Sequence, residues 1–212
     1  MQITMVLYRR MTALDIVGPY EVLSRLPGAE ITFAAAAPGP IPTDTGLLNL
    51  PATADFAEIS RTDLVVVPGG PDVRAQTQDT RLHEWLREID RTTTWTTSVC
   101  TGSLILAAAG LLERRRATTH WLVKDRLGDF GAEPAPGRVV IDGKYGTAAG
   151  VSAGIDLALT LAARIAGERI AQTIQLAIEY DPRPPFDAGS PDTAPEEVTD
   201  FLRSNRSLVV ES

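Results

Sequence analysis

The chain has 212 residues, 44% of them hydrophobic, and its 27 acidic and 20 basic side chains give a net charge of −7. This length suffices for one α/β domain with a full core, so we expect residues 1–212 to form a single domain in which residues 181–212 are a C-terminal arm with a short helix. The acidic charge argues against nucleic acid as the main partner, and no apolar stretch approaches the roughly 20 residues that span a bilayer, so we expect no membrane partner either.

The first half of the chain alternates predicted strands and helices. Strands are predicted at residues 3–8, 31–37 and 64–67, and helices at 14–26 and 80–89. The apolar run 64–67 ends at Gly69 and Gly70, as a central parallel strand does when it enters a tight loop. Pro19 is compatible with the first helix if it lies in the first turn. His83 falls on a charged helix face and is expected to be solvated.

The only cysteine of the chain lies where a predicted strand (93–99) meets an apolar helix (102–109). Ser98 and Gly102, two residues before and after Cys100, are small, as in the Gly-x-Ser-x-Gly nucleophile elbow. Gly110 can close the helix in a left-handed conformation. A side chain on such a turn points outward toward the positive end of the helix, so we expect an exposed, anionic thiolate. Elsewhere, a lone cysteine is more often a buried and inert hydrophobe.

The second half of the chain completes the alternation. A short strand is predicted at 117–120, a helix at 121–127, a hairpin over 139–147 that turns at Asp142 and Gly143, and helices at 152–166, 170–180 and 196–203. Buried strands alternating with helices predict a doubly wound, mostly parallel α/β sheet covered by helices on both faces. Binding sites in such sheets lie at the carboxyl ends of the strands. Cys100, Gly69 and Gly70 all fall at such ends.

Asp15 is the acidic side chain best placed to manage protons for a thiol. It is flanked by apolar residues and follows the loop after the first strand, at the same sheet edge as Cys100. Next to a thiolate and partly buried, its pKa would be raised toward neutrality, as a general acid and base requires. Its position equally fits a helix N-cap. Glu21 is a weaker candidate that we expect on the outer side of the helix.

Three further groups could bind substrate or stabilise an anion. Gly69 and Gly70 could turn backbone amides toward a ligand, although a Gly-Gly pair also suits any turn. The amide of Thr101 follows the elbow residue and points at a developing anion, while its hydroxyl could bind substrate or water or cap the helix. His120 could form a Cys–His pair or be a hydrogen-bonded pocket wall. Nothing has metal-ligand spacing, so no metal site is expected.

The single cysteine helps to predict the cellular compartment of the protein. One cysteine cannot form an internal disulfide, which fits a reducing environment. The first eight residues are typical of a first strand and lack the basic leader and cleavage site of a signal peptide. We therefore expect a cytoplasmic protein.

Two segments of the chain carry a resemblance to a known group of proteins. Residues 98–112 followed by 115–121 resemble the ThiJ/PfpI superfamily, relatives of the class I glutamine amidotransferases. Residues 14–19 together with Cys100, Thr101 and Gly102 are similar to the isocyanide hydratases within that superfamily. Segments 67–70, 153–163 and 179–195 also match, so the resemblance covers nearly the whole chain.

The resemblance implies a fold, a reaction and a set of roles. It implies a flavodoxin-like α/β sandwich, a homodimer and no cofactor, with Cys100 as nucleophile and Asp15 as acid and base. The implied substrate is a small isocyanide, which water converts to an N-formamide through a cysteine thioimidate. Protease-like and glyoxalase-like members often have His directly after the cysteine, where this chain has Thr101. A cysteine-based redox sensor or regulatory domain, and a glyoxalase- or deglycase-like enzyme, remain as alternatives.

Overall fold

The computed structural model describes residues 1–210, in which eleven strands and seven α-helices form. The strands are β1 (Gln2–Val6), β2 (Glu30–Ala35), β3 (Gly39–Pro42), β4 (Asn49–Ala52), β5 (Ala54–Asp55), β6 (Leu64–Val67), β7 (Trp95–Val99), β8 (Arg116–Ala117), β9 (Glu133–Pro134), β10 (Val139–Asp142) and β11 (Tyr145–Ala148). The helices are α1 (Ala13–Leu23), α2 (Val73–Thr77), α3 (Thr80–Asp90), α4 (Gly102–Ala108), α5 (Ala153–Ala166), α6 (Glu168–Ala177) and α7 (Glu196–Ser204). Short 3-10 helices cover Phe56–Glu58, Trp121–Phe130 and Arg206–Leu208.

A seven-stranded sheet forms the centre of the molecule, in the order β10-β11-β7-β6-β1-β2-β5. All neighbouring strands pair in parallel except β10 and β11, which form an antiparallel hairpin at one edge. The chain moves outward from β1 on one side and from β6 on the other, so the order reverses between these two strands. The crevice of a doubly wound sheet lies at such a reversal, at the carboxyl ends of the strands. The predicted fold class is confirmed.

Helices cover both faces of this sheet, and alternate residues of the central strands fill the two layers between them. In β1, Ile3 and Met5 point into the layer shared with α1 and α5, while Val6 points into the layer shared with α3 and α4. In β6, Val66 and Val67 alternate in the same way. Strands that bury both faces read as continuous apolar runs, which is why their sequences lack polar alternation.

The structure differs from the predicted elements at two turns. The hairpin turns at Gly143 and Lys144, because Asp142 still pairs with Tyr145 across the ladder. The Asp142 carboxylate instead accepts a hydrogen bond from the backbone N–H of Arg116 at 2.9 Å. The strand predicted at 117–120 is reduced to β8, and the following helix is a 3-10 helix with a kink at Val123.

Two side chains occupy environments that the sequence did not indicate. Pro19 lies in the middle of α1, not in its first turn, and it packs against α5: a Cβ on Gly154 would lie 3.1 Å from Pro19 Cγ. His83 is buried, at 7% exposure, with Nε2 2.8 Å from the carbonyl oxygen of Gln76. Burial lowers the pKa of His83, so the expectation of a solvated side chain is wrong.

The sequence analysis missed several short elements. These are the β3–β4 hairpin, strands β5 and β9, helix α2 and the 3-10 helices Phe56–Glu58 and Arg206–Leu208. Residues 181–195 contain no helix or strand, and α7 follows them, as expected for the arm. Within residues 1–210, no helix combines the length and apolar character needed to cross a membrane.

Candidate active site

Cys100 occupies a strained turn between β7 and α4. Its φ angle is 58°, in the left-handed region that residues with side chains seldom adopt. Its N–H donates to the carbonyl oxygens of Ala148 and Ala149 at 3.1 and 2.9 Å, and its own carbonyl accepts from Thr119 Oγ1 at 2.7 Å. These contacts hold the conformation in place, as strained residues at functional sites require. The strand-to-helix elbow is therefore confirmed.

Glycines allow the loop after β6 to pack directly against this elbow. A Cβ on Gly102 would lie 2.3 Å from the carbonyl oxygen of Val67, and one on Gly69 would lie 2.5 Å from the Thr101 nitrogen. Both distances are to backbone atoms, which cannot move aside. The two loops thus meet only because these positions lack side chains.

Asp15 lies inside α1 and is fully buried. Its Oδ2 accepts a hydrogen bond from the Gly69 N–H at 2.8 Å, whereas the N-cap position of α1 belongs to Thr12, so the N-cap alternative is wrong. Burial raises the pKa of Asp15 from 3.8 to about 8, and the charge of Asp44 adds to the rise. The Gly69 amide and the Cys100 thiol act in the opposite direction. The predicted upward shift is found, with burial as its main cause.

The Cys100 side chain is buried at 5% exposure, so the expectation of an exposed thiolate is wrong. Burial raises the pKa of the thiol, and the neighbouring Asp15 charge raises it further. The amides of Thr101 and Val151 and the nearby Thr101 hydroxyl lower the pKa of the thiol, but they do not outweigh burial. The helix that follows has only seven residues, which limits the help from its N-terminus.

Cys100 and Asp15 consequently titrate as a pair. The charge of ionised Asp15 raises the pKa of the Cys100 thiol, so the second proton leaves the pair far less readily than the first. Asp15 Oδ1 is buried and makes no well-aligned hydrogen bond within residues 1–210. One oxygen of the carboxyl is thus fixed by Gly69, while the other remains available to carry a proton.

Thr101 links the elbow at Cys100 to the loop that contains Gly69 and Gly70. Its Oγ1 accepts from the Gly70 N–H and donates to the Gly70 carbonyl, both at 2.9 Å, and it does not cap α4. Asp15 holds Gly69 in the same way through its amide. The structure therefore brings Cys100, Asp15, Thr101 and the two glycines together, but the amides of Gly69 and Gly70 already have partners.

His120 lies apart from this cluster, as a wall of the adjacent cleft. Its Nδ1 accepts a hydrogen bond from the Leu122 N–H at 3.4 Å, and its ring faces Gly150, where a Cβ would lie 2.8 Å from Cδ2. Burial lowers the pKa of His120, so the ring is neutral and the Nδ1 contact places its hydrogen on Nε2. It makes no Cys–His pair, because the groups that act on Cys100 are Asp15, Thr101 and Val151.

A cleft of about 460 Å³ adjoins the buried pair. Val151 lines it and also donates its amide hydrogen toward the Cys100 sulfur, while Leu14, next to Asp15, forms another part of its wall. Segment 189–192 of the arm closes one side, and Lys124 contributes a charged side chain. Within residues 1–210, no three His, Cys, Asp or Glu side chains come close enough to hold a metal ion.

Two groups near the pair escaped the sequence analysis. The Val151 contact is made by a backbone amide, for which the sequence carries no signal. Tyr8 follows β1 and donates its hydroxyl to the Pro68 carbonyl at 2.8 Å. Its pKa is raised by burial and by the charges of Asp15 and Cys100. Its place at the carboxyl end of a predicted strand could have identified it.

Comparison with known proteins yields a consistent group of relatives. The DJ-1/PfpI family model matches residues 1–164. The isonitrile hydratase of Pseudomonas putida is 44% identical over 203 residues, covering 96% of this chain and 89% of that protein. The HTH-type transcriptional regulator CdhR of Pseudomonas aeruginosa is 35% identical over 63% of this chain, but only 40% of the regulator is covered.

A solved structure supports the same relationship. The crystal structure of a ThiJ/PfpI family protein from Pseudomonas syringae aligns with a TM-score of 0.94 at 39% identity. The alignment covers 98% of this chain and 86% of that one. Sequence and fold therefore agree over nearly the full length of the chain.

Proposed function

Because this chain belongs to the DJ-1/PfpI family, we propose that it hydrates isocyanides to N-formamides. The observation that carries the proposal is the buried Asp15 carboxyl, beside Cys100 and with a pKa of about 8. A thiolate and a proton-carrying acid are the two groups that the addition of water to an isocyanide carbon requires. The identity of 44% to the Pseudomonas putida isonitrile hydratase supports the assignment of the reaction.

The first step adds Cys100 to the substrate. The reactive form of the pair holds one proton on Asp15 and the negative charge on sulfur, where the Thr101 and Val151 amides stabilise it. The thiolate bonds to the terminal carbon of R–N≡C, and that carbon takes the proton of Asp15. The product is a thioimidate, R–N=CH–S–Cys100, beside an ionised Asp15.

The second step returns the enzyme to its starting form. Asp15 removes a proton from water as its oxygen adds to the thioimidate carbon, and then passes that proton to nitrogen. The carbon–sulfur bond breaks as the remaining hydroxyl proton moves to Asp15. The products are R–NH–CHO, a thiolate and a protonated carboxyl, so atoms and charges balance.

The remaining residues orient the reactants. Thr101 holds the loop that contains Gly69 and Gly70. The Gly69 amide fixes one oxygen of Asp15, so that the other oxygen is free to exchange a proton with the substrate. We assign to His120 the binding of substrate or water through Nε2, from the wall of the cleft. In a cleft that is also lined by polar and charged residues, Leu14 and Val151 provide an apolar surface for the R group of the substrate. No cofactor takes part.

The oligomeric state and the cellular location of the protein are also part of the proposal. We propose a cytoplasmic homodimer in which each chain is one domain with residues 181–212 as its arm. The large apolar side chains exposed on one copy, among them Leu14 and Leu176 at 42% and 81% exposure, are compatible with a contact between copies. Sedimentation equilibrium measures the mass, and a monomer at all concentrations would remove the dimer from the proposal.

The test of the reaction uses purified protein and an aryl isocyanide, with formamide followed by NMR. Wild type is expected to turn over, Cys100→Ala to be inactive, and Asp15→Asn to lose about 10²–10⁴-fold in kcat/KM. Turnover retained in Asp15→Asn but lost in Cys100→Ala would refute the acid–base role and keep the nucleophile. Methylglyoxal is the comparison substrate, and its conversion in place of the isocyanide would favour the glyoxalase-like alternative.

A further inference from the structure

A second cavity, of about 520 Å³, lies outside the candidate active site. Its walls come from α2, from the 3-10 helix Trp121–Phe130 and from the C-terminal residues around Arg206 and Val210. None of its lining residues belongs to the Cys100–Asp15 cluster or to the cleft beside it. The proposed reaction therefore leaves this cavity without a use.

Three arginines converge on this cavity: Arg74, Arg126 and Arg206. Within residues 1–210 none of them forms an ion pair, although the chain carries 27 carboxylates for 20 basic groups and arginines such as Arg25 and Arg81 do pair. Among the described residues 1–210, three guanidinium groups without a carboxylate partner line one space, and they create a local positive potential in an otherwise acidic protein. An anion bound among them would relieve their mutual repulsion.

The Arg206 side chain is held in place for such a role. Its guanidinium donates a hydrogen bond to the carbonyl of Leu122, which ties the C-terminal segment to the 3-10 helix. Guanidinium groups match phosphate oxygens with two parallel hydrogen bonds. Asp125 and Asp129 are exposed neighbours of Arg126 in the chain, but neither lines the cavity.

The rest of the lining combines three apolar residues with the polar residues Thr77 and Gln78. Val123 and Val210 are buried, at 3% and 5% exposure, and Phe130 is partly buried beside them. The volume falls within the range of small-molecule sites. A cavity lined by both cationic and apolar side chains fits a ligand that has an anionic head and an apolar body.

We propose that this cavity is a second ligand site, which binds the phosphate monoester of an apolar alcohol. The dianionic phosphate lies among Arg74, Arg126 and Arg206, and the apolar group packs on Phe130. The ligand would contact two segments that lead away from the candidate active site: α2 begins three residues after Gly70, and the 3-10 helix begins directly after His120.

The test measures binding of phenyl phosphate to the full-length protein by isothermal titration calorimetry at fixed ionic strength. We expect saturable binding with one site per chain, weaker binding of inorganic phosphate, and none of phenol, which lacks the charge. Arg74→Gln, Arg126→Gln and Arg206→Gln should each weaken binding on the order of tenfold, as expected for a lost charge-assisted hydrogen bond. Arg169→Gln, at an exposed arginine elsewhere, should change nothing.

Two results would overturn the proposal. Equal weakening by Arg169→Gln and the three cavity variants would mean nonspecific attraction to positive charge. A larger effect of Lys124→Gln than of Arg126→Gln would place the probe in the cleft beside Cys100. Circular dichroism of each variant shows whether it is folded, and isocyanide turnover is measured separately, so failure of this site leaves the proposed reaction untouched.

Discussion

At the scale of single residues, burial is the force that sets the chemistry of the site. A thiol and a carboxyl removed from water both resist ionisation, and each resists it more when the other is charged. The pair therefore retains a proton at a pH at which a free carboxyl has lost it. The sequence placed Cys100 and Asp15 at the same edge of the sheet, but it did not show that both would be buried.

The first prediction concerns the pH dependence of the proposed reaction. Below pH 8 both groups of the pair hold their protons, and the nucleophile is missing. Above pH 8 the pair has lost one proton, and the proposed reactive form, with the remaining proton on Asp15 and the charge on sulfur, can be reached by proton transfer within the pair. We expect kcat/KM to rise with pH through about 8. The pH–rate profile of the wild type measures this, with Asp44→Asn as the control, since removing that charge should move the midpoint slightly downward. A rate independent of pH from 6 to about 9 would contradict it.

The second prediction concerns stability. Between pH 4 and about 8 the folded protein holds a proton on Asp15 that the unfolded chain has lost, because the folded pKa is raised. The contribution of Asp15 to the free energy of unfolding is therefore fully present at low pH. It is lost as the pH rises toward 8, by up to about 1.4 kcal/mol per pH unit. Urea unfolding of the wild type and Asp15→Asn at several pH values measures the difference. If the free energies of unfolding of the wild type and Asp15→Asn differ by the same amount at every pH from 5 to about 7.5, the shifted pKa is contradicted.

A third prediction follows from the double hydrogen bond of Thr101. Thr101→Val keeps the shape but leaves the Gly70 N–H and carbonyl unpaired in a buried place, at about 1–3 kcal/mol for each group. Thr101→Ser keeps the hydroxyl and should lose about 1 kcal/mol, the value of a methyl group. Chemical denaturation measures both, and equal losses in the two variants would show that the hydroxyl is not what holds the loop.

At the scale of elements, contacts between backbones decide which turns are possible. The elbow approaches the end of β6 so closely that a side chain at Gly102 would overlap the Val67 carbonyl. By contrast, a Cβ on Gly18 in α1 would meet the flexible Ile155 side chain at 3.0 Å. Replacing glycine by alanine should therefore affect stability differently at Gly102 and at Gly18.

The fourth prediction compares these two glycines. Gly102→Ala should destabilise the protein by on the order of 3 kcal/mol or more, because the backbone of β6 cannot move away. Gly18→Ala should stay within about 1 kcal/mol of the wild type, since Ile155 can shift and alanine favours the helix. Thermal unfolding of the two variants measures the contrast. A tolerated alanine at Gly102 would contradict the packing of the elbow.

Elements with a strong pattern were predicted well from the sequence. The apolar run of β6, the amphipathic helix α3 and the core helix α5 agree with their predicted positions to within a few residues. Strands β8 and β5, of two residues each, carry no periodicity that could identify them. The hairpin was found, but its turn was one residue off, because Asp142 still pairs with Tyr145 in the ladder of the hairpin.

At the scale of the whole molecule, the two core layers share one sheet. Alternate residues of β1 and β6 belong to opposite layers, so neither layer can open without exposing these strands. We therefore predict one cooperative unfolding transition, coincident by tryptophan fluorescence and circular dichroism. Two separate transitions would contradict the single-domain organisation, while loss of the arm alone at low denaturant would show that residues 181–212 fold independently.

The sequence by itself determined the alternation of the main strands and helices, the elbow at Cys100 and the resemblance to the family, because these depend on local patterns that the chain carries along its length. Only the tertiary structure decided that Cys100 and Asp15 are both buried, that the Val151 amide reaches the sulfur and that three arginines without an ion pair to any of residues 1–210 line one cavity. Burial and proximity arise when distant segments pack, and they are properties of the folded arrangement that no stretch of sequence contains.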